Sequence, residues 1–346
     1  NIKYYDKTGK LLHENKYNDK NLPIGINKFY TLKDDEANSN SETYYDVNGK
    51  KIKYIYKMYG GGTVETNYRN ELMHGVKIIF DEKILSLKKI GNENKNLPKI
   101  IPGFIDLHVH GGGGADIMEG GSAAQTISKT HARFGTTSFL ATTMTAPFHE
   151  LEVTFNELAK SFKHRESSEA RILGVHLEGP YINPDKLGAQ PNFTRQAALN
   201  EISHLHQIVP IKTITLAPEI FNHTDLIKDL ISLGIMVQIG HTNGTYEEGI
   251  VALNLGAKSF THLFNAMSSF HHRKPGMVGA ALAHAEYAEL IPDLLHVHPG
   301  AIKAALRSIP NLYFVTDATS ATGMPDGDYK LGSHTVHKCL GGVRLA

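Results

Sequence analysis

A single cysteine, Cys339, is all the sequence holds. No internal disulfide can form, and a reducing compartment is expected. Net charge is equally spare: 36 Lys+Arg against 35 Asp+Glu leave +1, so the totals carry no electrostatic footprint for nucleic acid or an anionic lipid surface. Long apolar runs are missing too. The longest notable uncharged stretch, Phe134 to Phe148, is threonine-rich and falls short of the ~18 apolar residues of a membrane span. Residues 1–20 carry charges throughout and no apolar core of a secretory signal. The expectation is a soluble, cytoplasmic protein with no nucleic-acid or membrane partner.

What is present starts with size. The 346 residues are 41% hydrophobic and 21% charged, ample for a packed core and incompatible with a disordered or collagen-like chain. Histidine is the anomaly. Of the 20, only His13 and His74 precede His108, which leaves 18 in the remainder. Histidine is the commonest metal ligand and a general acid or base near neutral pH, so its spacing matters.

The first 57 residues differ from the rest. They hold 8 of the 15 tyrosines, and Tyr4-Tyr5-Asp6-Lys7-Thr8-Gly9-Lys10 returns as Tyr44-Tyr45-Asp46-Val47-Asn48-Gly49-Lys50. Paired aromatics followed by a glycine turn and alternating residues read as β-hairpins. The segment resembles MORN-like hairpin repeats. Residues 58–100 carry further strand-like runs and are expected to form a small β-subdomain.

From Ile101 the pattern becomes strand, polar turn, helix, repeated. Strand-like runs are Ile101–Leu107, Ser138–Thr142, Ile172–His176, Ile211–Leu216, Met236–Ile239, Ser259–His262, Leu290–His296 and Leu312–Thr316. Eight such runs alternating with helices imply parallel pairing in an α/β fold. No G-x-G-x-x-G follows the first, which disfavours a dinucleotide fold. A (β/α)8 barrel over residues 101–346 is therefore expected.

In such a barrel the carboxyl ends of the strands converge on one mouth. His108 and His110 are two apart and share a strand face. Glu178 closes the third run, before Gly179 and Pro180, while His241 and His262 close the fifth and sixth. Glu178, His241 and His262 make a His2Glu set that leaves a coordination position open. Asp317 ends the last strand and is placed to act as a base toward a water activated by a metal.

These residues sit in longer strings: Pro102-Gly103-Phe104-Ile105-Asp106-Leu107-His108-Val109-His110-Gly111, His176-Leu177-Glu178-Gly179-Pro180, Gly240-His241-Thr242-Asn243, Thr261-His262-Leu263-Phe264-Asn265-Ala266-Met267 and Val315-Thr316-Asp317-Ala318. From about residue 58 the chain resembles the N-acetylglucosamine-6-phosphate deacetylase family of amidohydrolases. The resemblance implies a divalent metal, zinc or iron, on Glu178, His241 and His262, with His108 and His110 helping to hold a second. It implies that Asp317 activates water and then protonates the leaving amine. It also implies that Asn265 and the Ala266 backbone contact the phosphate, joined by Arg273 from a neighbouring subunit of a homodimer or larger homo-oligomer. His296 would bind the sugar and polarise the amide carbonyl, and Ala189 and Gln190 would line the sugar site. The substrate implied is the 2-acetamido sugar phosphate of amino-sugar metabolism.

Three departures from that pattern stand out. Residues 1–57 have no counterpart, which suggests a native start at Met58. The chain stops at Arg344-Leu345-Ala346, before a D-G-T-L-A-G-S-like segment and the last helices the family carries. Leu294 replaces a usual glycine two residues before His296. Two other readings remain: an amidohydrolase for cyclic amides or nucleobases, disfavoured because Glu178 takes the bridging role that a fourth-strand lysine carbamate often has in those enzymes, and a non-catalytic remnant with a binding role.

Overall fold

The computed structural model describes residues 101–346 throughout, and of residues 1–100 only the backbone of eight strands. The chain forms two compact units, Asn1–Ile101 and Pro102–Ala346. In the first, strands run antiparallel in chain order from Ile2–Tyr5 to Ile84–Ile90. Both tyrosine-pair segments enter such pairings, Tyr4 opposite His13 and Tyr44 opposite Lys53. Their expected glycine turns lie outside the described residues. Pairing also continues between Lys51–Lys57 and Thr63–Arg69.

The second unit is the expected barrel. Its strands are β1 (Phe104–Val109), β2 (Thr136–Thr143), β3 (Arg171–Glu178), β4 (Ile211–Leu216), β5 (Met236–Ile239), β6 (Ser259–Phe260), β7 (Tyr287–Leu290) and β8 (Asn311–Phe314). β1 to β6 form one parallel sheet in chain order, and β7 pairs parallel with β8. The seams close through backbone bonds: Leu263 N–H to Glu289 O (2.8 Å) joins β6 to β7, and Asp317 N–H to His108 O (3.1 Å) joins β8 to β1. A helix fills each of the seven connections: α1 (Ala123–Arg133), α2 (Phe148–Lys163), α3 (Leu199–Ile208), α4 (Ile227–Ser232), α5 (Tyr246–Leu255), α6 (Gly276–His284) and α7 (Pro299–Ser308).

Strand periodicity sorts the side chains. Val109, Val175, Leu177, Ile214, Leu216, Val237, Ile239 and Leu290 join the buried apolar layer between sheet and helices. α2 meets that layer with Leu151, Phe155 and Leu158, spaced three and four apart on one helix face. The alternate strand positions point inward and are polar. His176 Nε2 lies 2.7 Å from Thr215 Oγ1, which lies 2.7 Å from Thr261 Oγ1. Thr261 donates to Gln238 Oε1 at 3.0 Å, and Gln238 Nε2 donates to the Tyr313 hydroxyl at 2.6 Å. A hydrogen-bonded floor thus fills the barrel beneath its mouth, satisfying groups that would be costly to bury alone.

Two elements differ from the sequence expectation. The seventh strand ends at Leu290 rather than running to His296. Pro292 has no N–H for a ladder, and the Asp293 carboxylate instead accepts from the N–H groups of Leu295 (2.9 Å) and His296 (2.8 Å), forming a turn. After β8 the chain adds an antiparallel meander, β9 (Gly327–Leu331), β10 (His334–Cys339) and β11 (Gly342–Leu345), beside the mouth. Among the described residues, no helix is long and apolar enough to cross a membrane.

Candidate active site

The strand ends place five ligand candidates and Asp317 around one point. Glu178 Oε1 lies 3.0 Å from His241 Nε2 and 3.0 Å from His262 Nε2, and those two nitrogens are 3.0 Å apart. Its other oxygen, Oε2, lies 3.0 Å from His110 Nε2 and 3.3 Å from His108 Nε2. Asp317 Oδ1 is 3.3 Å from each of those last two nitrogens. One carboxylate therefore faces two donor sets, one per oxygen.

Three of the four imidazoles are oriented by the nitrogen that points away. His110 Nδ1 donates to Thr142 O (3.1 Å) and His241 Nδ1 to Lys186 O (2.7 Å), while His108 Nδ1 donates to Glu289 Oε1 (2.7 Å). Carbonyls and carboxylates only accept, so each ring carries its proton outward and presents an Nε2 lone pair inward. Lone pairs facing carboxylate oxygens at 3.0–3.3 Å repel unless a positive charge lies between them. The donor set, nitrogen and oxygen from His and Glu, is that of a divalent metal such as zinc. The residues fit the group.

The electrostatics agree. Burial opposes charge on His108, but the carboxylates of Asp317, Glu178 and Glu289 outweigh it and hold the ring well above its ordinary value. His110, likewise buried, is pushed up to about 9 by hydrogen bonds to Asp317 and Glu178. Glu178 and Asp317 resist burial and are held low, chiefly by the charge of His108. His176, buried beside His108, is pushed down to about 4 and stays neutral. The pocket is thus strongly cation-seeking, and without a metal it gathers protons instead.

The backbone is bent to make this meeting. His241, His262 and Asp317 have φ of 46°, 28° and 49°. Each left-handed non-glycine residue costs of order 1–3 kcal/mol and persists only where surrounding structure imposes it. Such residues collect at functional sites; Phe264, Ala266 and Leu294 nearby have φ of 81°, 52° and 66°.

The mouth opens into a cavity of about 1020 Å³ lined by Ala189, Gln190, Asn265, Ala266 and His296 as well as the ligand candidates. Asn265 Nδ2 bonds back to His262 O at 3.3 Å. His296 is turned by Asp293, whose Oδ2 accepts from Nδ1 at 2.7 Å. Gln190, expected to face a sugar, also has both polar ends engaged: Thr145 N–H donates to Oε1 and Nε2 donates to Glu178 Oε2, each at 2.7 Å. Arg273 is exposed on the loop before α6 and does not line its own chain's cavity. β9–β11 contribute Leu331, Val336 and Val343 to the wall. Glu289 went unnoticed in the sequence, because the expected strand began one residue after it.

A parallel barrel with histidines and carboxylates at its carboxyl mouth is the architecture of metal-dependent hydrolases. Residues 100–326 match the model of the amidohydrolase family, and the chain belongs to that family. Within it, the chain is 40% identical over 254 residues to the N-acetylglucosamine-6-phosphate deacetylase of Lysinibacillus sphaericus, covering 71% of this chain and 65% of that protein. It is 36% identical over 256 residues to the N-acetylgalactosamine-6-phosphate deacetylase of Escherichia coli O157:H7, covering 71% of this chain and 67% of the relative. Among solved structures, it superposes with a TM-score of 0.70 and 27% identity on a point mutant of the Mycobacterium smegmatis N-acetyl-D-glucosamine-6-phosphate deacetylase in complex with N-acetyl-D-glucosamine-6-phosphate, covering 85% of this chain and 75% of that one. The chain spans just under two thirds of the length of the first of these relatives.

Proposed function

We propose that this chain hydrolyses the acetamide of N-acetyl-D-glucosamine 6-phosphate to glucosamine 6-phosphate and acetate, a cytoplasmic step of amino-sugar breakdown and recycling. The observation that carries the reading is Glu178, with one oxygen toward His241 and His262 and the other toward His108 and His110, at the floor of a cavity that Asp317 also enters. In this reading Glu178, His241 and His262 hold the main divalent ion, and His108, His110 and Asp317 face a second. A divalent cation there supplies Lewis-acid polarisation of the amide carbonyl and lowers the pKa of water from about 15.7 to about 7.

The chain's own residues do the rest. Asp317 takes a proton from the attacking water and returns it to the departing amine, which an amide needs because its nitrogen leaves poorly unprotonated. His296, oriented by Asp293, binds the sugar and steadies charge on the carbonyl oxygen. Ala189 and Gln190 line the sugar site, Asn265 and the Ala266 backbone meet the phosphate, and Arg273 reaches it from the partner subunit of a homodimer, as suits a dianion. In this reading residues 1–57 are a hairpin extension whose pairing runs on into the small β-subdomain of 58–100, and 101–346 are the barrel.

The relative from Escherichia coli O157:H7 favours one competing reading, the galactosamine epimer. Acetate release from the two epimeric N-acetylhexosamine 6-phosphates separates them. The proposal expects faster turnover of the glucosamine epimer, abolished by chelation. Metal-loaded protein that releases acetate from neither would sink it.

A further inference from the structure

Glu289 is a buried carboxylate that the proposed reaction leaves without a task. It lies on the inner face of β7, wholly buried, and among the described residues no lysine or arginine forms an ion pair with it. Its Oε1 accepts from His108 Nδ1 at 2.7 Å and from the His262 backbone N–H at 3.0 Å. Its Oε2 accepts from the Tyr313 hydroxyl at 3.4 Å, and Tyr313 is itself held by Gln238 at 2.6 Å. The carboxylate is therefore braced from the barrel floor and cannot turn away from His108.

We propose that Glu289 is the positioning residue for a second cation site made by His108, His110, Asp317 and Glu178 Oε2. The proposal rests on the two-ion reading of the site given above. Two physical arguments carry it. The first is orientation. A carboxylate accepts and never donates, so Glu289 forces the His108 proton onto Nδ1 and leaves Nε2 as a ligand atom aimed at Glu178 Oε2 and Asp317 Oδ1. The second is charge. Three carboxylates lie within 3.3 Å of the two ring nitrogens of His108, those of Glu178 and Glu289 buried and that of Asp317 partly exposed toward the mouth. A buried anion needs a compensating charge. A lone dication held by His241 and His262 would neutralise only Glu178 of these three, whereas a second held by His108 and His110 would also compensate Asp317 and, through the His108 imidazole, Glu289.

Outer carboxylates of this kind typically change metal affinity 10–100-fold when removed. The role is separable from general support of the fold. Glu289 touches the side chain of His108 but only the backbone of His262, so its loss should weaken one ion and spare the other.

The test is a zinc titration of the full chain against a competing chromophoric chelator, for wild type, Glu289→Gln and Glu289→Leu. The near-isosteric glutamine variant keeps an acceptor for His108 and is the safer folder, checked by circular dichroism. Wild type should bind two ions. Glu289→Gln should weaken the second about 10-fold and Glu289→Leu about 100-fold, with the first within about threefold of wild type. Cobalt substituted for zinc should lose the visible absorption of one site only. Two ions of unchanged affinity in both variants would overturn the role of Glu289 while leaving the two-ion reading intact. Parallel loss of both ions from folded Glu289→Gln would mark a structural role and also overturn it. A wild type that saturates at one ion would overturn the two-ion reading itself, and this inference with it.

Discussion

Replacing Asp317 with asparagine should separate chemistry from binding of the main ion. The carboxylate Oδ1 lies 3.3 Å from His108 Nε2 and His110 Nε2, whereas the Glu178, His241 and His262 atoms meet one another without it. Asparagine preserves the shape, and its amide can donate to the same nitrogens, so the fold and the main ion should survive. What disappears is proton transfer. A positioned acid or base is worth ~10²–10⁴-fold, and Asp317 is assigned two transfers in one turnover. A fall in kcat of at least about 10³-fold follows, roughly 4 kcal/mol of barrier. The assay is acetate release at saturating N-acetylglucosamine 6-phosphate, with elemental analysis of the same sample. A metal-replete variant retaining kcat within about tenfold of wild type would refute the assignment.

Other perturbations probe separate parts. Glu178→Gln removes the one carboxylate shared by both donor sets, so elemental analysis should find both ions lost, and chelated wild type should match its inactivity. Leu294→Gly relieves a φ of 66° and should leave KM within about twofold, because Asp293 and not residue 294 holds His296; Asp293→Ala, which removes bonds of 2.7 and 2.8 Å, should raise KM instead. His223 reports on stability. Burial pushes it from 6.5 to about 4, and it is locked neutral, donating from Nδ1 to Ala217 O at 2.8 Å and accepting the Ala197 N–H at 3.0 Å. Between pH 6.5 and 4 the unfolded chain takes a proton the folded chain refuses, so this group's contribution is intact above 6.5 and is lost as pH falls to 4, about 3 kcal/mol in all. Urea unfolding at pH 7 and 4.5 checks it: a His223→Leu variant should lose less stability over that interval than wild type, and an equal loss would assign the effect elsewhere.

The ligand candidates were legible because each ends an apolar run just before a turn. His108, Glu178, His241, His262 and Asp317 all occupy that position, and a parallel barrel brings such ends to one rim. Their tautomers were not legible, since Lys186 O, Thr142 O and Glu289 come from distant segments. Glu289 itself was hidden by register. Starting the seventh strand at Leu290 leaves it outside, whereas the real strand, Tyr287–Leu290, places it on the inner face between Ala288 and Leu290. The closing meander escaped notice because Gly327–Leu331 is only five residues, with charges at Asp328 and Lys330, and gains its stability by pairing with His334–Cys339. Gln190 was placed at the cavity by resemblance, but its grip on Glu178 comes from the fold.

Anomalous diffraction from crystals of the zinc-loaded chain tests the central claim most directly. The account predicts a strong peak within coordination distance, about 2.0–2.2 Å, of a Glu178 oxygen and of His241 Nε2 and His262 Nε2. A zinc-replete crystal with its peak bound elsewhere, and those three side chains bonded only to one another, would contradict it.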